Sequence, residues 1–248
     1  MTEVHTSMPP ALRQALDLLI DPPENPDVSK GYLDLLSTGS DTDDTLPKNT
    51  GAIQAAWESP MGSLLYDHAQ NISRQLIRAW QYPLDWLNIP PGGTALDVGS
   101  GPGNVTASLA RAAGRGGLAL GVDISEPMLV RAVRAQSGAR VGFIRTDAQR
   151  LPLRDNTVDA VVSLGMLQLI PNPSAALAEM ARVLRPGGRL MIMAPIFGNM
   201  ARFRRNVSNV GVYVFHNDEI GDILEDNGFA TVRVKNFGNL QWVRGKRG

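Results

Sequence analysis

From residue 94 to residue 194 the sequence alternates short apolar runs with stretches of helix-forming composition. This alternation is typical of repeated strand-helix-strand units, in which the strands are parallel and helices cover both faces of the sheet. The apolar runs are residues 95–98, 118–122, 141–144, 158–164 and 190–194. The helical stretches between them are 105–113, 127–135 and 175–184. The sequence therefore predicts a doubly wound α/β sheet.

The pattern changes after residue 194. Residues 218–227 favour one more helix, and two strand candidates follow at 230–234 and 240–244. Residues 236–239 form a link that suits a hairpin and is too short for a crossover helix. We expect seven strands in all, mostly parallel, with an antiparallel pair at the C-terminal end.

The segment before residue 92 has a different character. It contains helical pieces at 12–20 and 62–80, separated by turn-rich stretches. The run Pro90-Pro91-Gly92-Gly93 is a natural boundary. We therefore expect an N-terminal helical extension over residues 1–91 and one α/β domain over residues 92–248.

Charge and cysteine content exclude several classes of function. Lys and Arg together number 24, as do Asp and Glu, so no overall positive field favours a nucleic acid partner. The chain contains no cysteine, which excludes disulfides, iron-sulfur clusters and a cysteine nucleophile. The first apolar stretch contains Arg13, Gln14 and Asp17, so we expect neither a signal peptide nor a membrane span, and a cytoplasmic protein. The oligomeric state stays open, with a dimer among the options.

The strongest local signal is the glycine-rich run Leu-Asp-Val-Gly-Ser-Gly-Pro-Gly-Asn at residues 96–104. It lies between the first predicted strand of the sheet and the first helix. Glycine lets the backbone approach a ligand closely, and the N-H groups of the helix that follows point at an anion. This turn alone indicates a site of the nucleotide-binding type.

Three details narrow the ligand. A dinucleotide fingerprint needs a third glycine where this chain has Asn104. Asp97 lies two residues before the first glycine, where a carboxylate attracts an ammonium group and repels pyrophosphate. Asp123 follows the second strand, where its oxygens can accept hydrogen bonds from both hydroxyls of a ribose. A sugar and an amino acid together suggest S-adenosylmethionine.

With further motifs at 121–125, 146–149, 158–163 and 182–188, the chain resembles class I S-adenosylmethionine-dependent methyltransferases. Within that class it is similar to the group of the ubiquinone and menaquinone methylases. The resemblance implies a Rossmann-like fold that binds S-adenosylmethionine and releases S-adenosylhomocysteine.

The resemblance also implies roles for particular residues. The methionine part of the donor would lie along Asp97, Gly99, Ser100, Gly101 and Gly103. The ribose and adenine would contact Asp123, Ile124, Met128, Asp147 and Ala148. The sulfonium would face Leu164, Gly165 and Gln168.

Methyl transfer from a sulfonium is an in-line displacement that depends mainly on positioning. A general base is needed only if the acceptor must lose a proton, and the candidates are Tyr66, His68 and His216. Tyr66 also suits a cofactor or substrate contact, and each histidine could instead be a structural or solvated side chain. Residues 164–167 are apolar, so we expect no metal.

The sequence favours methylation of oxygen or carbon in a partly apolar small molecule, such as a lipid, quinone, polyketide or sugar-derived metabolite. A nicotinamide-dependent reductase is an alternative, but no tyrosine here is followed by lysine four residues later. A non-catalytic protein that binds S-adenosylmethionine is a third reading. The aromatic residues within 52–86 suggest a lid over the acceptor, or alternatively simple packing of the N-terminal helices on the core.

Overall fold

The structure is a computed structural model that describes residues 8–36, 84–196, 213, 215–238 and 240–248. The described helices are α1 (Pro10–Leu16), α2 (Asn104–Ala112), α3 (Glu126–Gln136), α4 (Pro173–Val183) and α5 (Glu219–Asp226). The strands of the first half are β1 (Leu33–Asp34), β2 (Thr94–Val98), β3 (Leu118–Asp123) and β4 (Val141–Arg145). The remaining strands are β5 (Val158–Leu164), β6 (Leu184–Pro195), β7 (Phe229–Phe237) and β8 (Leu240–Arg247).

The strands form one eight-stranded sheet in the order β1-β4-β3-β2-β5-β6-β8-β7. All neighbours from β1 to β6 are parallel, whereas β8 is antiparallel to both β6 and β7. The predicted fold, a mostly parallel doubly wound sheet with an antiparallel C-terminal hairpin, is confirmed. The helical stretch expected over residues 175–184 is found as α4, which ends at Val183, and β6 begins at the next residue.

The sheet has one strand more than the seven we expected. β1 contains only Leu33 and Asp34, and it pairs with β4 at the edge of the sheet. Two residues carry no periodicity that a sequence pattern could detect. The region before residue 92 is thus not purely helical where the structure describes it, and the proposed boundary at 91/92 stays a prediction.

The core lies on both faces of the sheet. The strands β2, β3 and β5 are almost entirely buried, as expected for parallel strands covered on both sides. One face packs against α1, α4 and α5, and the other packs against α2 and the short 3-10 helix Leu84–Leu87. Within the described ranges, no helix has the length and apolar character to cross a membrane.

The strand order indicates which edge of the sheet can bind a ligand. β2 pairs with β3 on one side and with β5 on the other, so the chain direction of the crossovers reverses beside β2. In open α/β sheets, ligands bind in the crevice that this reversal opens at the carboxyl ends of the strands. The glycine turn after β2, Asp123 at the end of β3 and Leu164 at the end of β5 all lie at this edge.

Candidate cofactor site

The glycine turn after β2 folds back onto the end of β3. The backbone N-H groups of Gly99 and Ser100 both donate to the carbonyl of Val122, at 2.9 and 3.0 Å. Gly103 then has a φ of 80° and directly precedes α2. The turn thus presents its backbone at the crevice and leads straight into a helix N-terminus.

Close packing explains two of the glycines. A Cβ atom on Gly99 would lie 2.4 Å from Cγ of Met166, and one on Gly103 would lie 2.6 Å from Cζ of Phe143. Both glycines also have positive φ, a conformation that side chains with a Cβ rarely adopt. No other residue fits these positions without displacing the loop after β5 or a side chain of β4.

Asp97 is a buried carboxylate at the end of β2, with 2% of its surface exposed. Its Oδ2 accepts a 2.6 Å hydrogen bond from the hydroxyl of Thr106 on α2. Burial raises the pKa of Asp97 to about 7, the Thr106 hydrogen bond lowers it, and the nearby charge of Asp123 raises it. A cation brought into this crevice would favour the ionised form of Asp97.

Asp123 joins the two sides of the crevice. Its Oδ2 accepts from the backbone N-H of Gly101 at 2.8 Å, and its Oδ1 accepts from the N-H of Ser125 at 2.9 Å. Burial raises the pKa of Asp123, and these backbone hydrogen bonds lower it. Each carboxylate oxygen has further acceptor capacity, so both can also accept from ligand hydroxyls.

The side of the crevice beyond β3 is formed by the loops after β3 and β4. Met128 is buried on α3, and Ile124 is half-buried. Asp147 accepts from the backbone N-H of Gln149 at 2.8 Å and from its side-chain amide at 3.0 Å, while Ala148 packs against the core. Asp147 therefore stabilises the turn after β4 through its bonds to Gln149.

The loop after β5 closes the other side. The N-H of Gly165 donates to the carbonyl of Met193 at 2.8 Å, and the side-chain amide of Gln168 donates to the carbonyl of Gly165 at 2.6 Å. Two buried polar atoms at this crevice, Ser100 Oγ and Gln168 Oε1, have no hydrogen-bond partner among the described residues. Unpartnered buried polar atoms are rare, so they fit a site that receives a polar ligand.

Comparison with known proteins agrees with this geometry. Residues 96–192 match the family model described as a methyltransferase domain. The chain carries a methyltransferase domain. The matched residues run from β2 to β6 and include the crevice described above.

Relatives extend the similarity beyond the family model. The chain is 38% identical over 125 residues to the ubiquinone/menaquinone biosynthesis C-methyltransferase UbiE of Burkholderia mallei, covering 49% of this chain and 51% of that protein. The chain thus spans about half the length of the curated relative it matches. The resemblance of the methyltransferase domain to the ubiquinone and menaquinone methylases is confirmed.

Two solved structures share the fold of the methyltransferase domain. A crystal structure of a SAM-dependent methyltransferase from Aquifex aeolicus matches with a TM-score of 0.54 and 27% identity, over 66% of this chain and 87% of that chain. Phosphoethanolamine N-methyltransferase 2 of Haemonchus contortus matches with a TM-score of 0.57 and 21% identity, over 64% of this chain and 49% of that chain. The class I methyltransferase fold is thereby established.

The three candidates for a general base fall in different parts of the chain. Tyr66 and His68 lie outside the described residues, as does most of the predicted lid at 52–86. His216 is exposed, and its backbone N-H donates to Oε2 of Glu219 at 2.8 Å. The hydroxyl of Tyr213 donates to Oε1 of the same glutamate.

Sequence reasoning missed Tyr213 and Glu219 as a pair. The backbone N-H of Tyr213 donates to the carbonyl of Gln168 at 2.7 Å, which places the tyrosine beside the loop after β5. Glu219 lies in the first turn of α5, three residues after His216. A capping box has Ser or Thr three residues before the glutamate, where this chain has His216, so no sequence motif indicated Glu219.

A second missed group stabilises the loop after β3. Arg145 at the end of β4 forms an ion pair with Oδ2 of Asp34 at 3.1 Å, and its Nε donates to the carbonyl of Ile124 at 3.2 Å. β1 therefore supports the backbone next to Asp123. No sequence signal links Asp34 and Arg145, because 111 positions separate them.

No group of three or more His, Asp or Glu side chains in the described part of the chain could hold a metal ion.

Proposed function

We propose that this protein transfers the methyl group of S-adenosylmethionine to a small molecule and releases S-adenosylhomocysteine. The observation that carries the proposal is the link between Asp123 and the glycine turn, the 2.8 Å hydrogen bond from Gly101 to the carboxylate. This bond brings together, in one crevice, a carboxylate that can accept hydrogen bonds from a ribose and a backbone turn that suits an amino acid. The names of the Aquifex and Burkholderia relatives support the same donor and reaction class.

The residues of the crevice suit each part of the donor. Asp97 is the buried carboxylate for the ammonium group, and Asp123 accepts from the ribose hydroxyls. Met128 and Ile124 cover the adenine, and the loop from Leu164 to Gln168 borders the sulfonium. The unpartnered atoms Ser100 Oγ and Gln168 Oε1 are available for further hydrogen bonds to the donor.

The donor supplies an activated methyl group, so the chain has to hold the acceptor atom in line with the carbon-sulfur bond. For an acceptor that must lose a proton, the described candidates are Tyr213, whose hydroxyl donates to Glu219, and His216, whose backbone N-H donates to the same carboxylate. The hydroxyl of Tyr213 has its proton directed at Glu219, so towards an acceptor hydroxyl it is a hydrogen-bond acceptor.

The acceptor is a partly apolar molecule methylated on carbon or oxygen. Support comes from the half-buried ring of Tyr213, whose backbone N-H donates to Gln168 in the loop after β5, and from the quinone methylase named among the relatives. The N-terminal region over residues 1–91 contributes to the acceptor site as a lid. A labelled-methyl assay on fractionated extract of the native host would identify the acceptor.

Calorimetry tests the donor. We expect S-adenosylmethionine to bind and the Asp123→Ala variant to lose roughly 10- to 150-fold in affinity, because charge-assisted hydrogen bonds to the ribose are lost. The matched control is Asp226→Ala, which removes a carboxylate from the exposed end of α5. Unchanged affinity in Asp123→Ala would remove the ribose role, and tight binding of NAD alone would favour the reductase instead. Donor binding without methyl transfer to any extract fraction would favour the non-catalytic reading.

A further inference from the structure

A buried glutamine links two loops of the crevice. Gln149 lies in the turn after β4, with only 4% of its surface exposed. Its side-chain nitrogen donates to Oδ2 of Asp147 at 3.0 Å, and its side-chain oxygen accepts from the backbone N-H of Asn172 at 3.1 Å. Asn172 is the last residue before α4, at the end of the loop that follows β5. One side chain therefore connects the loop after β4 with the loop after β5.

The two partners fix the direction of the Gln149 amide. A backbone N-H only donates and an ionised carboxylate only accepts, so the amide oxygen faces Asn172 and the amide nitrogen faces Asp147. The opposite orientation would bring oxygen against carboxylate oxygen and N-H against N-H. Buried polar groups without partners destabilise a protein. Gln149 thus has one favourable orientation, and in it the side chain offers an N-H group to Asp147.

The far end of this link is a packed helix. The side chain of Asn172 accepts from the backbone N-H of Ala175 at 3.1 Å and caps the start of α4. α4 packs into the core through residues such as Leu177, which is completely buried. Because this packing holds α4 in place, Asn172 is a fixed support for Gln149. The position of Asp147 therefore depends on contacts with a distant segment of the chain.

Asp147 is held through both of its carboxylate oxygens. Oδ1 accepts from the backbone N-H of Gln149 at 2.8 Å, and the side-chain nitrogen of Gln149 lies 3.3 Å from Oδ1 and 3.0 Å from Oδ2. These two donors leave the carboxylate little freedom to rotate. Asp147 is half-buried, and each of its oxygens can accept more than one hydrogen bond. It can therefore also bind a ligand donor, but only in the direction that Gln149 sets.

The strand order puts Asp147 where the base of the donor would lie. β2, β3 and β4 are neighbours in the sheet. At their carboxyl ends lie, in that order, the glycine turn, Asp123 and, two residues beyond β4, Asp147. Neighbouring strands are about 4.8 Å apart. A donor with its methionine part at the glycine turn and its ribose at Asp123 therefore extends its adenine towards the loop that contains Asp147.

We propose that Gln149 makes the site selective for adenine among purine bases. Gln149 holds Asp147 in the direction in which the carboxylate accepts from the exocyclic amine of adenine and repels a base that carries an oxygen at that place. Gln149 is a positioning residue, because it acts on the ligand only through Asp147. This inference rests on the proposed function, since it requires the donor to lie in the crevice with its adenine beside Asp147.

Calorimetry with two ligands tests the role of Gln149. S-adenosylhomocysteine carries the exocyclic amine, whereas S-inosylhomocysteine has an oxygen in its place and a proton on the adjacent ring nitrogen. The unmodified chain should bind the adenosyl compound roughly 10- to 150-fold more tightly, because the inosyl oxygen faces a fixed carboxylate. In Gln149→Met this ratio of affinities should fall roughly tenfold, since a released carboxylate can turn away from the oxygen and towards the ring proton.

The ratio separates positioning from stability, because a purely structural role would weaken both ligands equally. Gln241→Met is the matched control. Gln241 is also completely buried, its side-chain nitrogen donates to Asn236 at 3.0 Å, and its strand β8 is far from β4 in the strand order. This control should lose stability in thermal unfolding and keep the ratio of the unmodified chain.

A second variant covers the case in which Gln149→Met does not fold. Gln149→Glu keeps an oxygen for the N-H of Asn172 but replaces the donor to Asp147 with a like charge. The ratio should therefore fall in this variant as well.

A double variant tests whether Gln149 acts through Asp147. Asp147→Ala should remove most of the preference for the adenosyl compound. Adding Gln149→Met should then change the ratio less than about twofold, whereas independent effects would multiply. A further tenfold fall would contradict an action through Asp147.

Three other results would overturn the proposal. Equal affinity of the unmodified chain for both ligands would show that the crevice does not distinguish the two bases, while donor binding in the proposed function would still stand. An unchanged ratio in the folded Gln149 variants would confine Gln149 to a structural role. An equal fall in Gln241→Met would show that the ratio follows stability. If the unmodified chain binds neither ligand, the proposed function fails as well.

Discussion

The hydroxyl of Thr106 donates a 2.6 Å hydrogen bond to the buried carboxylate of Asp97. This bond joins the end of β2 to the first turn of α2 across the glycine turn. It also moderates the effect of burial, which raises the pKa of Asp97 to about 7. The carboxylate therefore sits at the start of the crevice in a state that responds to pH and to a nearby cation.

Folding stability should fall with rising pH because of Asp97. Its folded pKa is raised above the unfolded value of 3.8, so the folded state binds the proton more tightly, and this contribution is lost between about pH 4 and pH 7. We therefore compare the free energy of unfolding of Asp97→Asn with that of the unmodified chain. The variant's value minus that of the unmodified chain should increase by roughly 2 to 4 kcal/mol between pH 4 and pH 8. Urea unfolding of both proteins at pH 4 and at pH 8 measures this difference. If this difference does not change with pH, Asp97 ionises with an ordinary pKa. In Thr106→Val, which lacks the hydrogen bond to Asp97, the fall in stability should extend to higher pH.

Donor affinity should rise between about pH 6 and pH 7.5. The ammonium group of the donor favours ionised Asp97, so binding below pH 7 should release a proton. Calorimetry in two buffers of different ionisation enthalpy counts the protons released. Asp97→Asn should bind more weakly and show no such release, and proton release that survives in this variant would assign it to another group.

Gly99→Ala should damage both stability and donor binding. The new methyl group would meet Met166 Cγ at 2.4 Å, in addition to the positive φ of 78°. Gly92→Ala is the matched control, because Gly92 has the same φ and a Cβ added there would have no atom within 4 Å. Both should lose roughly 1 to 2 kcal/mol from the backbone, and Gly99→Ala should lose roughly 1 to 3 kcal/mol more. Equal losses in thermal unfolding would mean that Met166 moves away freely.

Asp34→Asn should weaken both the fold and the donor site. Its carboxylate is largely buried against Arg145, which also binds the carbonyl of Ile124 beside Asp123. We expect a loss of roughly 1 to 3 kcal/mol in unfolding free energy and a several-fold loss of donor affinity. Asp155→Asn is the control, since its ion pair with Arg182 is 68% exposed on the aspartate side and should contribute under about 1 kcal/mol. Loss of stability with unchanged donor affinity would confine Asp34 to a structural role.

The central strands were predictable because they are buried on both faces. The expected strand 118–122 is found as Leu118–Asp123, and the expected helix 127–135 is found as Glu126–Gln136. Such continuous apolar runs do not depend on partners elsewhere in the chain. β1 was not predictable, because Leu33 and Asp34 form a strand only through their bonds to β4.

The methyltransferase domain was predictable for a similar reason: its glycine turn and Asp123 lie in short motifs with local geometry. The cofactor residues carried over from the resemblance remain predictions, as do the base candidates. The pair Tyr213 and Glu219 and the pair Asp34 and Arg145 were not found, because each depends on how separate segments meet.

The order of residues along the chain determined the central strands, the helices between them and the turn between Val98 and Asn104, since hydrophobic periodicity and glycine act locally. Only the tertiary structure decided that Asp123 bonds to Gly101, that Thr106 moderates the charge on Asp97 and that Gln149 connects Asp147 with Asn172. Hydrogen bonds and burial depend on the distances between segments, and these distances exist only once the sheet has formed.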